Sequence, residues 1–136
     1  MKRGDLWWAD LGAHRPQEQT GRRPVIIWQS DALNRVLQSV LVVPLTTNLD
    51  RARLAGTAIV SATPDGLPQD SVALAFQLRA IPKSALHSRI RALVETELAE
   101  LELATDEALG VSSLSNVLPN YGLKQTRISL RSTRAA

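Results

Sequence analysis

Most of the first 93 residues alternate between short apolar runs and polar segments containing Gly, Pro, Asn or Asp. Short runs rich in Val, Ile, Leu and Trp are typical of β-strands, and the polar residues between them are typical of turns. This pattern predicts strands over residues 6–11, 25–29, 36–43, 57–60, 71–76 (running on to 81) and 89–93. Trp7 and Trp8 should then face opposite sides of the first strand, because neighbouring side chains alternate along a strand.

A different periodicity begins at residue 95. Apolar side chains recur at three- or four-residue intervals, which predicts an amphipathic helix over residues 95–109 that ends at Gly110. These apolar positions are Leu98, Leu101, Ala104 or Thr105, and Ala108. The same pattern leaves four glutamates facing solvent: Glu95, Glu97, Glu100 and Glu102.

The remaining segments predict turns and loops. Residues 30–34 and 82–86 suit single helical turns, whereas residues 12–21 and 63–70 are rich in loop formers. Strands do not alternate with helices in the manner of a parallel sheet. The predicted fold is therefore mainly β (α+β): a small antiparallel barrel-like sheet with short helices and a C-terminal helix packed on it.

Length and composition limit the class of protein. A chain of 136 residues suits one compact domain, and the absence of Cys excludes disulfides and thiolate chemistry. The longest aliphatic run, residues 40–45, is far shorter than the roughly 20 residues that a membrane-spanning helix needs. Neither a secretory signal nor a membrane segment is expected. We expect a folded domain over residues 1–110 and a basic, flexible tail over residues 111–136.

The net charge of +3 is unevenly distributed. Residues 1–91 hold 12 Lys/Arg and 7 Asp/Glu, residues 92–110 hold six acidic and no basic residues, and residues 111–136 hold four basic and no acidic residues. A basic body favours a polyanionic ligand, because each neutralised phosphate releases counterions. A solvated basic surface without a ligand is the alternative interpretation.

Candidate chemistry is concentrated where two predicted strands meet loops. Glu18, Arg22 and Arg23 precede the apolar run at Val25, and Thr46 and Thr47 follow the next strand. Phosphodiester cleavage by a neighbouring 2′-hydroxyl needs a base, positive charge on the phosphorane and a proton donor. It does not require a metal, because the nucleophile is tethered in the substrate. Ordinary surface ion pairs between these residues are the structural alternative.

Other chemistries have weaker support in the sequence. The phosphate-cradling patterns GxxxxGK[ST] and GxGxxG are absent, and two histidines without Cys do not make a zinc site. A nuclease with a histidine pair would require folding to bring His14 and His87 together. We therefore expect neither a metal nor a cofactor.

Five segments resemble the MazF/PemK family of toxin endoribonucleases, over about residues 3–110. Their order and spacing carry the resemblance more than any single segment does. They are RGDL at residues 3–6 with Trp8 and Asp10, EQTGRRPV at 18–25, VPLTTNL at 43–49, GLPQDSVAL at 66–74 and QLR at 77–79.

The resemblance implies an SH3-like (CcdB/MazF-type) barrel that forms a homodimer and cleaves single-stranded RNA at short sequences without metal. The products would be a 2′,3′-cyclic phosphate and a 5′-hydroxyl. By motif position, the catalytic residues would be Arg23, Thr46 and Glu18. RNA-binding positions would be Arg22, Thr47, Gln19, Asn48, Gln77 and Arg79. It also implies action in the cytoplasm and a cognate MazE-like antitoxin whose flexible segment occupies the RNA groove.

Two features depart from the family pattern, and two other functions compete. Val94 replaces a capping residue, so the start of the last helix is expected to fray. The tail after residue 110 has no counterpart in the family pattern. A non-enzymatic toxin that binds DNA gyrase, similar to CcdB, is the main alternative. A family member that serves mainly as a partner-binding repressor subunit is the second.

Overall fold

A computed structural model describes residues 1–12 and 19–111 of the chain. These residues form the strands β1 (Asp5–Asp10), β2 (Arg22–Ile27), β3 (Ser39–Thr46), β4 (Thr57–Val60), β5 (Ser71–Leu74), β6 (Arg79–Pro82) and β7 (Leu86–Ala92). The α-helices are α1 (Asp31–Val36) and α2 (Glu95–Leu109), and short 3₁₀ helices span Leu49–Arg53, Ala75–Gln77 and Lys83–Ala85. The flexible tail predicted for residues 111–136 lies, apart from Val111, outside the described residues.

All strand pairs are antiparallel, and the order β4-β5-β3-β2-β1-β7 is completed by β6, which pairs with β3. β6 and β7 therefore lie at opposite edges of a five-stranded sheet, yet only the turn Lys83–Ala85 joins them. Four strand spacings would separate the edges of a flat sheet by about 19 Å. Three residues of 3₁₀ helix rise only about 6 Å, so the sheet has to curl. The structure confirms the predicted antiparallel, barrel-like fold with a C-terminal helix.

Two apolar clusters occupy the two faces of the curled sheet. The helix-side core lies against α2 and comprises Leu6, Ile26, Trp28, Val43, Leu45, Ala58, Val60, Leu67, Ala73, Ala75, Leu93, Leu101 and Ala104. The turn-side core comprises Ala9, Leu11, Val25, Ile27, Val40, Val42 and Ile81. Ala85 and Leu86 pack against the turn-side core from the connection between β6 and β7. Because alternate residues of β2 and β3 enter different cores, both strands are apolar along most of their length.

The predicted strands differ from the observed ones in several bounds, and β2 and β7 each begin three residues earlier than predicted, at Arg22 and Leu86. β3 begins at Ser39 rather than at residue 36, because α1 continues through Val36, and it runs through Pro44 to Thr46. The apolar run at residues 71–81 is interrupted, since the 3₁₀ helix Ala75–Gln77 separates β5 from β6. As expected, Trp7 and Trp8 lie on opposite faces, with Trp7 packed against the turn-side core.

α2 has the predicted bounds, and Gly110 ends it in the left-handed conformation at φ 70°. The predicted exposure of Glu97 was wrong. Its carboxylate is buried and accepts hydrogen bonds from Arg91 at 2.7 and 2.9 Å and from the backbone N–H groups of Val94 and Ser61 at 3.0 and 3.2 Å. The first turn of α2 is therefore held by Glu97, although Val94 has no side-chain cap. The expected fraying is not observed.

Burial alone would raise the pKa of Glu97. The hydrogen bonds from Arg91, Val94 and Ser61 outweigh burial, so the pKa of this carboxyl lies below its ordinary value of 4.5. The hydrogen bonds that Arg91 donates to Glu97 also raise the pKa of Arg91. The pair joins the end of β7 to the start of α2, and Arg91 also donates to the carbonyl of Ser61 at 3.1 Å. None of the helices in the described segments is long and apolar enough to cross a membrane.

Glu97→Gln is expected to lower the free energy of unfolding at pH 7 by about 2–3 kcal/mol, because Arg91 loses its anionic partner. Since the folded-state pKa is depressed, the stabilisation is present above the ordinary carboxyl pKa and is lost as the pH falls through the lowered value. Urea denaturation of both proteins between pH 7 and 3 measures the difference, which should shrink below about pH 4.5. Glu95→Gln, at an exposed position of the same helical turn, is the control. A difference that stays constant down to pH 3 contradicts this role of Glu97.

Candidate functional site

Arg23 and Thr46 lie on the neighbouring strands β2 and β3. The pairing of these strands reaches Val25 and Pro44, and Arg23 and Thr46 each lie two residues beyond that pair. Both side chains share the face of Val25 and Val42, which belong to the turn-side core. Strand alternation thus places both candidate catalytic residues on the face of the turn-side core.

The guanidinium of Arg23 is half-buried and held at one nitrogen. Its Nε donates a hydrogen bond to the carbonyl of Thr20 at 3.0 Å. Within residues 1–12 and 19–111, no hydrogen bond or ion pair occupies its two terminal nitrogens. A guanidinium fixed through Nε retains its terminal N–H fork for a bidentate contact with a phosphate.

Thr46 is the last residue of β3 and is 8% exposed. Its Oγ1 accepts a hydrogen bond from the backbone N–H of Asn48 at 3.2 Å. An accepting hydroxyl can still donate its own proton, so this contact orients Thr46 without consuming its donor. The neighbouring Thr47 is exposed, and the side chain of Asn48 accepts from the N–H of Asp50 as the cap of the helix Leu49–Arg53.

The adjacent Arg22 lies on the other face of β2. Its guanidinium carbon is 5.9 Å from the ring centroid of Trp8, whose Cα partner is Pro24. Strand alternation causes this separation, because consecutive side chains point to opposite sides. Arg22 and Arg23 thus do not converge on one face, although both were predicted to contact RNA.

Three further predicted residues gather where the β1–β2 loop leaves the barrel. We call Leu11, Gly12, Gln19, Thr20 and Gly21 the loop neck. Two backbone hydrogen bonds join its incoming segment, Leu11 and Gly12, to its outgoing segment, residues 19–21. The N–H of Leu11 donates to the carbonyl of Gly21 at 2.9 Å, and the N–H of Gly21 donates to the carbonyl of Gly12 at 2.6 Å. Gln77 Oε1 accepts from the N–H of Gln19 at 2.9 Å, and Arg79 donates to the carbonyl of Leu11 at 2.8 Å.

Two of the candidate residues cannot be placed. Glu18 and His14 lie outside the described residues, so the structure tests neither the predicted base nor the histidine-pair alternative. His87 is exposed on β7 and lines a groove of about 470 Å³ beside the loop neck, together with Asp10, Arg79 and Ser84. Among the described residues, no group of three His, Asp or Glu side chains could hold a metal ion.

The sequence did not single out some groups that shape the site. The carbonyl of Thr20 accepts a hydrogen bond from Arg23, and the carbonyl of Leu11 accepts one from Arg79. Every residue has a backbone carbonyl, so the residue type does not indicate which carbonyls make such contacts. Arg51 and Arg53 are exposed on the 3₁₀ helix that follows Thr46, and neither was predicted as a candidate residue. Their position in a basic segment was the available signal.

Residues 2–109 match the family model described as the PemK-like, MazF-like toxin of type II toxin–antitoxin systems. The chain belongs to this toxin family. It is 31% identical over 116 residues to endoribonuclease MazF of Staphylococcus epidermidis, covering 85% of this chain and 97% of that protein. It is 36% identical over 112 residues to endoribonuclease EndoA of Bacillus subtilis, covering 82% of this chain and 93% of that protein.

Solved structures of MazF toxins share the fold. Mycobacterium tuberculosis toxin MazF-mt6 has a TM-score of 0.66 and 27% identity, covering 78% of this chain and 96% of that chain. A mycobacterial endoribonuclease in complex with its cognate antitoxin also has a TM-score of 0.66, at 24% identity, covering 82% and 97%. These relatives establish this MazF-like protein as a toxin endoribonuclease and do not favour the gyrase-binding alternative.

Proposed function

We propose that this MazF-like toxin cleaves single-stranded RNA at selected sequences by attack of a 2′-hydroxyl on the adjacent phosphate. The 2′-oxygen forms a bond to phosphorus while the bond from phosphorus to the 5′-oxygen breaks. The products are a 2′,3′-cyclic phosphate and a 5′-hydroxyl, so the proton removed from the 2′-oxygen is balanced by one delivered to the leaving oxygen. The nucleophile is already tethered in the substrate, so no metal is required.

The observation that carries this proposal is the register of β2 and β3, which would place Arg23 opposite Thr46 if it continued two residues beyond Val25 and Pro44. The terminal N–H groups of Arg23 would stabilise the negative charge that develops on the phosphorane, and the hydroxyl of Thr46 would donate to a non-bridging oxygen. Glu18 would accept or deliver the proton. Gln19, Thr47, Asn48 and Arg79 would contact the flanking nucleotides, whereas Arg22 would meet RNA only from the other face of β2.

Arg23→Ala is expected to lower kcat by about 10²–10³-fold, the usual cost of removing a charged donor aimed at a developing oxyanion. Cleavage of a long unstructured RNA in EDTA measures this loss. Arg22→Ala is the matched variant, because it removes the same charge one residue away on the opposite face, and it should act mainly on KM and its salt dependence. Equal losses of kcat in the two variants, or cleavage that needs added metal, contradict the proposal.

Thr46→Val removes the hydroxyl while preserving the branched shape of a nearly buried side chain. We expect kcat to fall by about 10–150-fold, which corresponds to the loss of a hydrogen bond to a charged group. Thr46→Ser retains the hydroxyl and should recover most of this loss. Single-turnover cleavage of an oligonucleotide measures both variants, and a serine variant as slow as the valine variant would rule out the hydroxyl as the active group.

We also propose a cognate MazE-like antitoxin whose flexible segment occupies the RNA groove, and action in the cytoplasm, where such RNA substrates are found. The related solved structure of an endoribonuclease with its cognate antitoxin supports the first of these. An antitoxin peptide that inhibits cleavage should be displaced by an excess of an RNA oligonucleotide that has a 2′-deoxy sugar at the cleavage position. This oligonucleotide can bind but lacks the hydroxyl that attacks the phosphate. Inhibition that such an oligonucleotide cannot reverse would place the peptide elsewhere. Cell fractionation tests the compartment.

We propose a homodimer as the working assembly. Support comes from apolar side chains exposed on α1 and the start of β3, namely Leu33, Val36, Leu37 and Leu41. Adjoining exposed apolar residues are typical of protein contact surfaces.

Leu41→Asp is expected to convert the dimer to monomer at micromolar concentration, because a carboxylate would be desolvated in the contact. Sedimentation velocity gives the assembly state of the wild type and variant. Ile59→Asp is the control, since Ile59 is comparably exposed on β4, away from this patch. A monomeric wild-type protein would contradict the homodimer, and a dimeric Leu41→Asp would contradict its location.

A further inference from the structure

Gln77 was predicted to bind RNA, and its side chain makes an internal contact in the structure. Its side-chain Oε1 accepts the backbone N–H of Gln19 at 2.9 Å, across 58 residues of sequence. Gln77 ends the short 3₁₀ helix Ala75–Gln77, whose first residue, Ala75, is buried in the helix-side core. The amide oxygen is thus presented from a part of the fold that packing holds in place.

The residue that follows Gln19 holds the guanidinium of the candidate site. The carbonyl of Thr20 accepts from Arg23 Nε at 3.0 Å, and the orientation of this carbonyl depends on the path of the backbone at Gln19. A continuous chain of contacts therefore runs from Gln77 through Gln19 and Thr20 to Arg23. Gly21 is at φ 76°, in the left-handed region, so the backbone turns sharply between the two anchored residues and β2.

The other segment of the loop neck, Leu11 and Gly12, is anchored separately. Arg79 donates a hydrogen bond to the carbonyl of Leu11. The N–H of Leu11 in turn donates to the carbonyl of Gly21. Gln77, at the end of the Ala75–Gln77 helix, and Arg79, at the start of β6, therefore hold the two segments of the loop neck. Backbone amide and carbonyl groups that would otherwise need water are satisfied by this arrangement.

We propose that Gln77 is a positioning residue for Arg23: by accepting the N–H of Gln19, it fixes the Thr20 carbonyl that orients the guanidinium toward the substrate phosphate. This inference rests on the proposed function for the role of Arg23, but it assigns Gln77 a different task from the predicted RNA contact. Arg79 stabilises the same neck through Leu11. The two roles of Gln77 use different atoms of its side chain. Positioning needs Oε1 as an acceptor, whereas an RNA contact by the amide nitrogen needs Nε2 as a donor.

Two substitutions separate these roles. Gln77→Glu keeps an oxygen acceptor at the same position and removes the donor, whereas Gln77→Met has similar length but removes both. Positioning predicts that Gln77→Met lowers kcat by about two- to twelvefold with KM unchanged, as expected for one lost hydrogen bond. Gln77→Glu should retain kcat, measured at a salt concentration that screens its added charge. Gln38→Met, at an exposed position between α1 and β3, is the control for the chemical change.

A kinetic cycle with Arg23 tests whether Gln77 acts through that residue. Arg23→Lys keeps a cation but lacks the Nε–H group that donates to the carbonyl of Thr20. Adding Gln77→Met to Arg23→Lys should therefore lower kcat little further. NMR provides a readout that does not require cleavage: the Nε–H of Arg23 should exchange with solvent faster in Gln77→Met than in the wild type or in Gln77→Glu.

The outcomes distinguish this inference from the proposed function. A rise in KM with unchanged kcat in Gln77→Met, or a Gln77→Glu variant as slow as Gln77→Met, overturns the positioning role and returns Gln77 to direct RNA contact. An Nε–H exchange rate that is the same in all three proteins also overturns it. If Arg23→Ala itself cleaves RNA normally, the proposed function fails, while the exchange measurement still reports whether Gln77 orients Arg23.

Discussion

The antiparallel register between β2 and β3 is the constraint on which the candidate site depends. It places Arg23 and Thr46, each two residues beyond the pair Val25 and Pro44, on the face of the turn-side core. A slip of one residue would exchange the faces of all side chains on one strand, so Arg22 rather than Arg23 would share the face of Thr46. The packing of Val25 and Ile27 on one face and Ile26 on the other opposes such a slip, because each buried aliphatic side chain contributes about 1.5–3 kcal/mol.

A buried amide network fixes the connection that sets this register. Gln29 donates to the side-chain oxygen of Asn34 at 3.0 Å and to the carbonyl of Ser39 at 3.2 Å, while Asn34 donates back to the carbonyl of Gln29 at 3.0 Å. The N–H of Leu41 completes the network by donating to Gln29 Oε1 at 3.3 Å. Both amide side chains are almost fully buried, so any other register would leave polar groups unsatisfied at a cost of about 1–3 kcal/mol each. Polar residues thus determine where the apolar strands pair.

The sequence predicted those elements whose signals are local. α2 was predicted with its observed bounds, because its apolar spacing and Gly110 are both read along the chain. The break between β5 and β6 was missed, since the run of apolar residues at 71–76 continues without a turn signal through the 3₁₀ helix. Glu97 was expected in solvent because helical periodicity says nothing of Arg91, whose approach is set by the end of β7.

The same limit applies within the candidate site. The resemblance indicated Arg23 and Thr46 as a pair, and strand alternation puts both on the face of the turn-side core. It also grouped Arg22 with Arg23, although strand alternation alone requires that adjacent residues of β2 face apart. Gln77 was predicted as an RNA contact from its motif position, and the sequence could not show that its amide oxygen accepts from the N–H of Gln19, 58 positions away.

The uneven charge of the chain acquires a physical meaning in this fold. All six acidic residues of 92–110 belong to α2, which packs on the helix-side core, whereas Arg23 and Thr46 lie on the turn side of the same sheet. A sheet and the layer packed on it are about 10 Å apart. A polyanion that approaches the turn side therefore meets Arg23 before it meets the carboxylates of the helix. This separation allows one small domain to combine an acidic stabilising helix with a cationic face.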